Sequence, residues 1–434
     1  MLETAKRICR QIEAENYQAL IVGGTVRDLL MELAPHDVDI ATNMPISQIS
    51  KKFKTYDIGK SRDFGIVVVN QDGYSFEIAQ FRNDGNYSDG RRPDSITKTS
   101  SFQEDSSRRD FTINAMGMTA DGKIIDHHDG LQDIESKILR TVGNPRARFL
   151  EDKLRVMRLV RFATKLGFVI DKQTKITAKS MSKEIHSLAV ERIQEELLKA
   201  AELGGKKFSK YIQLLDKLRL LQEILPEVAA LKFKPETHEH HPENSNTFGH
   251  TLKALEFADD AKPMELIAIL LHDVGKTTTQ GLKSTSHHTY HRHDAVGAVL
   301  VEALAKRLNF SNKEVELLVF TTKNHMRFHK ILEMKPSKIM KLVGHDNFQE
   351  LSVVCAADSF GRRTYKEVVA HALTIKERVG NQKVTALVTG TMIMDLLGIE
   401  QGKEVGRIKN LVSEMVVDNN ITDQKTINKL IREV

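Results

Sequence analysis

The chain has 434 residues, of which 40% are hydrophobic and 28% are charged. Its 64 Lys and Arg residues exceed its 58 Asp and Glu residues, and the resulting net charge of +6 permits a polyanionic partner without establishing one. Only two cysteines occur, which excludes a disulfide framework, and no apolar run reaches the roughly 20 residues of a membrane span. We therefore expect a cytoplasmic protein of roughly two to four domains that does not bind a membrane.

The first 140 residues alternate between helical and strand-like patterns. The spacing of apolar residues predicts a helix over Thr4–Glu15, a strand over Ala19–Val22 and a helix that opens at Gly23–Gly24. Further strands are predicted over 37–41, 65–70, 75–80 and 123–126. These elements suffice for one modest mixed sheet with helices, so this region is predicted to be α/β.

The rest of the chain is predicted to be mainly helical. From about Asn144 onward, apolar residues recur every three or four positions, most clearly over 154–166, 187–203 and 211–224. A polar segment rich in His, Pro and Glu, FKPETHEHHPENS, predicts an inter-domain linker that ends at Ser245. A second helical block over 246–375 and a smaller one over 380–434 follow.

Two short patterns in the first region indicate phosphate chemistry. Gly23 and Gly24 stand between a strand and a helix, where backbone N–H groups favour an anion, although a tight turn alone would also explain the pair. Asp37 and Asp39 alternate on one predicted strand and so share a face, where their like charges need a cation. Mg²⁺ ions held by such a pair can catalyse two-metal phosphoryl transfer. The alternative interpretation is that the two aspartates lie on a solvated strand edge. Glu77 could supply a third carboxylate.

Several segments, in order and spacing, resemble the class II tRNA nucleotidyltransferase and bacterial poly(A) polymerase family. They are GGTVRDLL, HDVDIAT, FEIAQFR, RNDGNYSDGRRPD, RRDFTINAM, DGLQDI, RFLEDKLRVMRLVRFA and ERIQEEL. The resemblance implies an α/β nucleotidyltransferase head over 1–140, followed by an all-α neck over 141–235 that binds the nucleotide and RNA, and a helical tRNA-binding tail over 380–434. It implies addition of the 3′-terminal CCA to tRNA from CTP and ATP, without a nucleic-acid template. An A-adding enzyme and a poly(A) polymerase remain open as alternatives, and DNA is not an expected partner.

The resemblance also implies roles for particular residues. Asp37 and Asp39 would be the catalytic Mg²⁺ carboxylates, and Asp152 and Arg155, on one helix face, would hydrogen-bond the base of CTP or ATP. An ordinary intrahelical ion pair is the alternative for Asp152 and Arg155. The other residues implied to bind the nucleotide are Gly23, Gly24, Arg27, Arg108, Arg109, Asp110, Asn114, Arg158 and Arg161. The segment 82–93 matches a flexible loop of the family whose presence disfavours addition of cytidines alone.

Histidines and aspartates in the second helical block have the ligand types of a divalent-metal site. The segment LLHDVGK within this block resembles an HD-domain phosphohydrolase, placed here over 246–375. The match gives His250, His272, Asp273 and Asp358 as ligands of a second divalent metal, Ni²⁺, Mn²⁺, Co²⁺ or Mg²⁺. His293, His325 and Lys276 are expected to be accessory or to face a phosphate. A buried His-Asp hydrogen bond is the alternative reading of the motif.

Such a centre could hydrolyse a 2′,3′-cyclic or terminal phosphate on damaged tRNA. A different class of function would make the head a silent RNA-binding module and the HD domain the working enzyme. The sequence is compatible with a monomer or a homodimer.

Overall fold

The computed structural model describes residues 1–57, 61–85, 95–235, 246–284, 287–360, 363–382 and 387–434. They form two compact units, Met1–Ala200 with Lys210–Pro226, and Ala201–Ser209 with Glu227–Val434. Most of the predicted flexible loop and most of the predicted linker, 236–245, lie outside the described residues. The four predicted domains divide the chain more finely than these two units, and their boundaries remain predictions.

A seven-stranded mixed sheet forms the core of the first unit. Its strands are β1 (Ala19–Val22), β2 (Asp39–Thr42), β3 (Thr55–Tyr56), β4 (Ile66–Gln71), β5 (Tyr74–Gln80), β8 (Gly117–Met118) and β9 (Ile124–Ile125). Their order in the sheet is β3-β4-β5-β2-β1-β8-β9. β2 and β5 are parallel, and the other neighbours are antiparallel. The predicted α/β class of this region is therefore confirmed.

All four residues of strand β1 are buried. Because side chains alternate along a strand, both faces of β1 are therefore covered. Ile21 packs into a cluster with Ile8 of the first helix, whereas Leu20 belongs to a second cluster with Phe81 and Phe102. The helices of this region are α1 (Leu2–Glu13), α2 (Gly24–Leu30), α3 (Ile46–Lys52), α4 (Phe102–Ser107) and α5 (Gly130–Glu135), and a hairpin joins β6 (Arg82–Asp84) to β7 (Ile96–Lys98). Helix α2 begins at Gly24, two residues after this buried strand ends.

The following part of the chain is helical, as predicted. Its helices are α6 (Pro145–Glu151), α7 (Leu154–Leu166), α8 (Lys172–Ser180), α9 (Val190–Ala201), α10 (Gly205–Lys217), α11 (Leu221–Ile224) and α12 (Pro226–Ala229). The predicted helical stretch over 211–224 is interrupted, because Arg219 adopts a left-handed conformation with φ 61° between α10 and α11. A short parallel pair, β10 (Ile138–Leu139) with β11 (Val169–Ile170), was not predicted.

The second unit is also mainly helical, with one unpredicted hairpin of β12 (Gly281–Ser284) and β13 (His287–Thr289). Its longer helices are α13 (Thr247–Phe257), α14 (Pro263–Leu271), α15 (His293–Arg307), α16 (Asn312–His329), α17 (Pro336–Val343), α18 (Phe348–Asp358), α19 (Arg363–Gln382), α20 (Gly390–Leu397), α21 (Lys403–Asp418) and α22 (Gln424–Glu433). One hydrophobic cluster contains both Phe328 of α16 and Val412 of α21, so the last helices pack with the preceding block. None of the helices in the described ranges is both long and apolar enough to cross a bilayer.

Candidate nucleotide site and metal centre

A cavity of about 600 Å³ opens in the first unit beside the Gly23–Gly24 turn. Every residue that the sequence predicted for the nucleotide site of the head and neck lies in its wall. These residues are Gly23, Gly24, Arg27, Asp37, Asp39, Arg108, Arg109, Asp110, Asn114, Asp152, Arg155, Arg158 and Arg161. The structure thus brings the predicted set together, while the role of each residue remains a prediction.

The turn between β1 and α2 requires glycine at position 23 for two reasons. Gly23 has φ 72° and ψ −135°, a conformation that residues with a Cβ rarely adopt. A Cβ at Gly23 would also lie 3.3 Å from Nη1 of Arg109, and α2 begins directly afterwards at Gly24. The turn therefore leaves room for an arginine and for the start of a helix at the cavity wall.

Three carboxylates meet at the beginning of β2. Pairing of Ile40 with Ile78 in the parallel β2–β5 ladder brings Asp39 near Glu77. Burial, together with the charges of Asp37 and Glu77, raises the pKa of Asp39 to about 6. Repulsion among hard oxygen donors is relieved by a divalent cation, so these residues fit Mg²⁺.

One detail of the strand prediction is wrong. The strand begins at Asp39, so Asp37 lies just before it and not on it as predicted, although both residues line the cavity. The Asp37 and Asp39 carboxylates are still close, because only Val38 separates the two residues. The charge of Asp37 accordingly contributes to the raised pKa of Asp39.

A buried hydrogen-bond chain connects α2 to α7 across the cavity. Arg27 donates from Nε and Nη2 to Asp28 Oδ1 at 2.8 and 2.6 Å, and from Nη1 to Asn114 Oδ1 at 2.6 Å. Asn114 Nδ2 donates to Asp110 Oδ1 at 3.1 Å, and Asp110 Oδ2 accepts from Arg158 Nε and Nη2 at 2.9 and 2.6 Å. Although burial opposes ionisation, Arg158 lowers the pKa of Asp110 to about 2. Asp110 is therefore ionised. It binds Arg158 directly and is connected to Arg27 through Asn114, and both arginines are predicted to bind the nucleotide.

The expected placement of Asp152 and Arg155 on one helix face is also wrong. Helix α6 ends at Glu151, and Asp152 follows it with extended backbone, φ −139° and ψ 104°, before α7 begins. Asp152 accepts a forked pair of hydrogen bonds from Arg192, whereas Arg155 donates to Glu151 Oε2 at 2.7 Å and to the Arg108 carbonyl at 2.8 Å. The two side chains still line the same cavity, each held by another partner, so the alternative of an intrahelical ion pair between them is not observed.

Helix α7 contributes cavity residues that the sequence analysis missed. The guanidinium carbons of Arg27, Arg158 and Arg161 lie 5.2, 5.3 and 4.7 Å from the ring centroid of Phe162, and Lys165 follows on the same side of the helix. Spacings of three and four residues along α7 could have identified Phe162 and Lys165. The other missed residues of the wall are Asp28, His36 and Leu154, and Arg192, which the family resemblance places in the neck that supports Asp152 and Arg155, also lines it.

The four predicted HD-domain ligands lie together in the second unit. His250 Nε2 is 2.8 Å from Asp358 Oδ1, and His272 Nε2 is 3.3 Å from Asp273 Oδ2 and 3.5 Å from Asp358 Oδ1. Ligand atoms of His250, His272 and Asp273 are all within 4.8 Å of one another. His272 Nδ1 donates to the Ile269 carbonyl at 2.7 Å, which leaves Nε2 available as a metal ligand.

A second group of possible ligands shares Asp273 with the first. Asp273, His293 and His325 form it, and the two Nε2 atoms of the histidines are only 3.0 Å apart. The Nδ1 atoms of His293 and His325 bond to backbone carbonyls at 2.8 and 2.7 Å, so their Nε2 atoms face each other. Burial, then the charge of His272, lowers the pKa of His325 to about 3, which favours the neutral imidazole that a metal requires.

Two further side chains complete this cluster. Lys276, predicted as accessory, lies 2.8 Å from Asp273 Oδ2. His329, which the sequence analysis missed, lies 2.8 Å from Asp358 Oδ2. Its position one helical turn after His325 on α16 is the signal that could have identified it. Nitrogen and oxygen donors converge here in numbers that fit one or two divalent ions.

The class of protein follows from comparison of these domains with known families. Residues 19–140 match the poly(A) polymerase head domain, and residues 167–232 match the family described as a probable RNA and SrmB-binding site of polymerase A. Residues 247–363 match the HD domain. The cavity is lined by residues of the first match, by residues 152–165 that follow it and by Arg192 of the second match, whereas the candidate metal ligands lie in the third.

Individual relatives define the family more closely. The chain is 44% identical over 200 residues to a CCA-adding enzyme of Limosilactobacillus reuteri, covering 46% of this chain and 49% of that protein. It is similar over 99% of its length to the Bacillus stearothermophilus CCA-adding enzyme in complex with CTP, with a TM-score of 0.69, 25% identity and 96% of that chain covered. The fold also matches the Thermotoga maritima CCA-adding enzyme complexed with tRNA, with a TM-score of 0.62 and 18% identity, over 99% of this chain and 94% of that one.

The chain thus carries a poly(A) polymerase head domain, a segment of the polymerase A RNA-binding family and an HD domain, and it is similar to CCA-adding enzymes in sequence and in fold. It spans about half the length of the curated relatives that it matches.

Proposed function

We propose that this protein adds the 3′-terminal CCA to tRNA from CTP and ATP, without a nucleic-acid template. The observation that carries the proposal is that Asp152 and Arg155, an acceptor and a donor held by other residues, share one cavity with the carboxylates Asp37 and Asp39. The L. reuteri relative is named a CCA-adding enzyme, and the B. stearothermophilus structure is described as a complex with CTP, which supports this choice.

The nucleotide lies along α7 in this proposal. Arg155 and Lys165 are ten residues apart on that helix, a span of about 15 Å at 1.5 Å per residue. The base would lie at the Asp152 end and the phosphates near Gly24 and Arg27, where helix α2 presents its N-terminal N–H groups. This orientation directs the phosphates toward the carboxylates at the start of β2.

Base selection follows from hydrogen-bond chemistry. Cytosine and adenine carry an exocyclic amino donor where uracil and guanine carry a carbonyl acceptor. Asp152 can accept from that amino group, since Arg192 fixes its carboxylate in place at 3.1 and 3.2 Å. Arg155 uses three of its five N–H donors on Glu151, Arg148 and Arg108, and the others can donate to a ring nitrogen. One protein pair can therefore accept CTP and ATP and reject UTP and GTP.

Asp37, Asp39 and Glu77 would hold the divalent ion of the transfer step. When bound there, Mg²⁺ would activate the attacking 3′-hydroxyl and stabilise the pyrophosphate leaving group. The arginines at the cavity wall would hold the triphosphate, because guanidinium groups bind phosphate oxygens in pairs.

The HD centre would give the protein a second, hydrolytic activity on a 2′,3′-cyclic or terminal phosphate of damaged tRNA. His250, His272, Asp273 and Asp358 would hold one ion, Ni²⁺, Mn²⁺, Co²⁺ or Mg²⁺, and a bound ion would supply a water nucleophile at neutral pH. Water attack that breaks the P–O3′ bond of the cyclic phosphate leaves a 2′-phosphate and a free 3′-hydroxyl, and hydrolysis of a terminal 3′-phosphate releases inorganic phosphate and the same 3′-hydroxyl, which is the group that nucleotide addition needs.

Two variants of the full chain test this division of activities. Asp37→Ala with Asp39→Ala should abolish incorporation of labelled CTP into tRNA and leave hydrolysis of 2′,3′-cyclic AMP unchanged. His272→Ala should give the reverse pattern. Incorporation by the first variant at the wild-type rate would refute the carboxylate assignment, and hydrolysis by the second would refute the HD assignment.

A further inference from the structure

Asp105 is a buried carboxylate next to two arginines of the cavity wall. It belongs to the short helix α4, and the residue is 1% exposed. Among the described residues it does not line the cavity, whereas its neighbours Arg108 and Arg109 both do. Any effect of Asp105 on a bound nucleotide must therefore pass through these arginines.

The carboxylate of Asp105 holds both arginines at once. Oδ1 accepts from Arg108 Nε at 3.0 Å and Nη2 at 2.7 Å, and Oδ2 accepts from Arg109 Nη2 at 3.2 Å. The backbone N–H of Arg82 donates to Oδ1 at 3.2 Å, which ties the carboxylate to β6 as well. Both oxygens are thus engaged, and the orientation of the carboxylate is fixed from three directions.

Charge makes this arrangement necessary. Two adjacent guanidinium groups repel each other, and their long side chains have many rotamers unless a partner selects one. Although burial opposes ionisation, Arg108 and Arg109 lower the pKa of Asp105, so the carboxylate is charged and offsets their repulsion. A neutral residue at this position would remove the carboxylate that bridges the two arginines and would leave Asp84, 3.7 Å from Arg108 Nη1, as a charge partner of Arg108.

Arg109 also retains one donor that is not used in a hydrogen bond. Its Nε is buried and has no hydrogen-bond partner among the described residues, and its Nη1 lies 3.3 Å from where a Cβ of Gly23 would be. A buried unsatisfied donor is costly, and because Arg109 lines the cavity, a small shift of its side chain toward an anionic oxygen there would satisfy it. The side chain is therefore oriented by Asp105 on one side and left ready for a ligand on the other.

We propose that Asp105 is a positioning residue that fixes Arg108 and Arg109 for the phosphates of the incoming nucleotide. The inference rests on the proposed nucleotidyl transfer and deepens it. Asp105 acts through the arginines and does not touch the substrate, so its loss should weaken nucleotide binding more than tRNA binding.

Asp133 provides a matched control in the same unit. It is 2% exposed, accepts from Thr112 Oγ1 at 2.6 Å and from Arg140 Nε at 3.2 Å, and does not line the cavity. Asp105→Asn and Asp133→Asn each remove one buried charge from an arginine network, so both should lower the melting temperature. Only Asp105→Asn should also change nucleotide affinity.

The experiment measures equilibrium binding of labelled CTP to the full chain without RNA. We expect Asp105→Asn to raise the Kd about 10- to 100-fold, and Asp133→Asn to change it less than about twofold. In kinetic assays with tRNA, Asp105→Asn should raise the KM for CTP and for ATP and leave the KM for tRNA unchanged. Binding of CTP does not require incorporation, so this measurement stands even if the proposed CCA addition fails.

A double-mutant cycle separates positioning from general damage. In an Arg108→Met/Arg109→Met background, Asp105→Asn should change the Kd for CTP by less than about twofold, since the groups it orients are gone. A full effect of Asp105→Asn in that background would overturn the proposal. Equal Kd values for Asp105→Asn and Asp133→Asn would overturn it as well.

Discussion

Arg192 donates to both carboxylate oxygens of Asp152, from Nη1 to Oδ1 at 3.1 Å and from Nη2 to Oδ2 at 3.2 Å. The two residues are 40 positions apart in the chain, and the bond joins α9 to the segment between α6 and α7. Arg192 thus orients the carboxylate that we propose to read the base.

Replacing Arg192 tests this relationship. Arg192→Gln should lower kcat/KM for CTP and ATP about tenfold or more and reduce discrimination against UTP, because the Asp152 carboxylate loses its fixed orientation. Lys199→Gln on the same helix is the control, since Lys199 is paired at the surface with Glu195. Steady-state incorporation of each nucleotide measures both effects, and unchanged UTP discrimination would show that Arg192 does not orient a base-reading group.

Lys165 should bind the phosphate end of the nucleotide. It lines the cavity at the end of α7, and burial, followed by the nearby Arg27 guanidinium, lowers its pKa. Lys165→Met should raise the nucleotide KM about five- to tenfold, Lys165→Arg should restore most of the affinity, and Lys175→Met on the exposed face of α8 should have no effect. Equal KM values for Lys165→Met and wild type would exclude a contact between Lys165 and the phosphates.

The Asp110–Arg158 pair predicts a pH dependence of stability. The pKa of Asp110 is lowered to about 2, below the value of roughly 3.9 in an unfolded chain. Ionised Asp110 therefore stabilises the folded state above about pH 4, and this stabilisation is lost as the pH falls toward 2. Asp110→Asn should lower the free energy of unfolding by about 2 kcal/mol or more near pH 6, and the difference from wild type should shrink near pH 3. Urea unfolding at the two pH values measures it, and a difference that does not change with pH would contradict the pairing.

The two ligand groups around Asp273 predict metal stoichiometry in the HD domain. After chelation with EDTA, the protein should lose hydrolysis of 2′,3′-cyclic AMP and regain it with Ni²⁺ or Mn²⁺. His293→Gln with His325→Gln should bind fewer ions per chain than wild type, because it removes two of the three ligands in one group. His186→Gln, which changes an exposed histidine of the first unit, is the control. Identical stoichiometry in both variants would rule out a second ion at this group.

The sequence predicted elements with strong local signals. Strand β1 and helix α7 have the predicted bounds, because β1 is a continuous apolar run before a glycine turn and α7 ends at Gly167 in a left-handed conformation. The two-residue strands β10 and β11 were missed because pairing between distant segments, not local pattern, defines them. The position of Asp37 outside β2 and of Asp152 outside α7 likewise depends on backbone conformation that residue spacing does not reveal.

The candidate site shows the same limit. Asp37, Arg109 and Asp152 could be identified because they stand in ordered motifs, and the structure brings them into one cavity. The contacts of Arg192 with Asp152 and of Asp105 with Arg108 could not be predicted, because they join residues whose spacing in the chain does not reveal the pairing. Such residues become visible only when hydrogen-bond partners are known.

The most direct test is incorporation of labelled CTP alone, ATP alone and both together into three tRNA transcripts, ending before CCA, after its first C and after CC. The account predicts that CTP extends the first two transcripts to CC, that a single A is added to the third, and that addition then stops. Addition of A to the third transcript alone, or of long A tracts, would contradict CCA addition in favour of an A-adding enzyme or a poly(A) polymerase. No incorporation on any transcript would assign the activity of this chain to the HD domain.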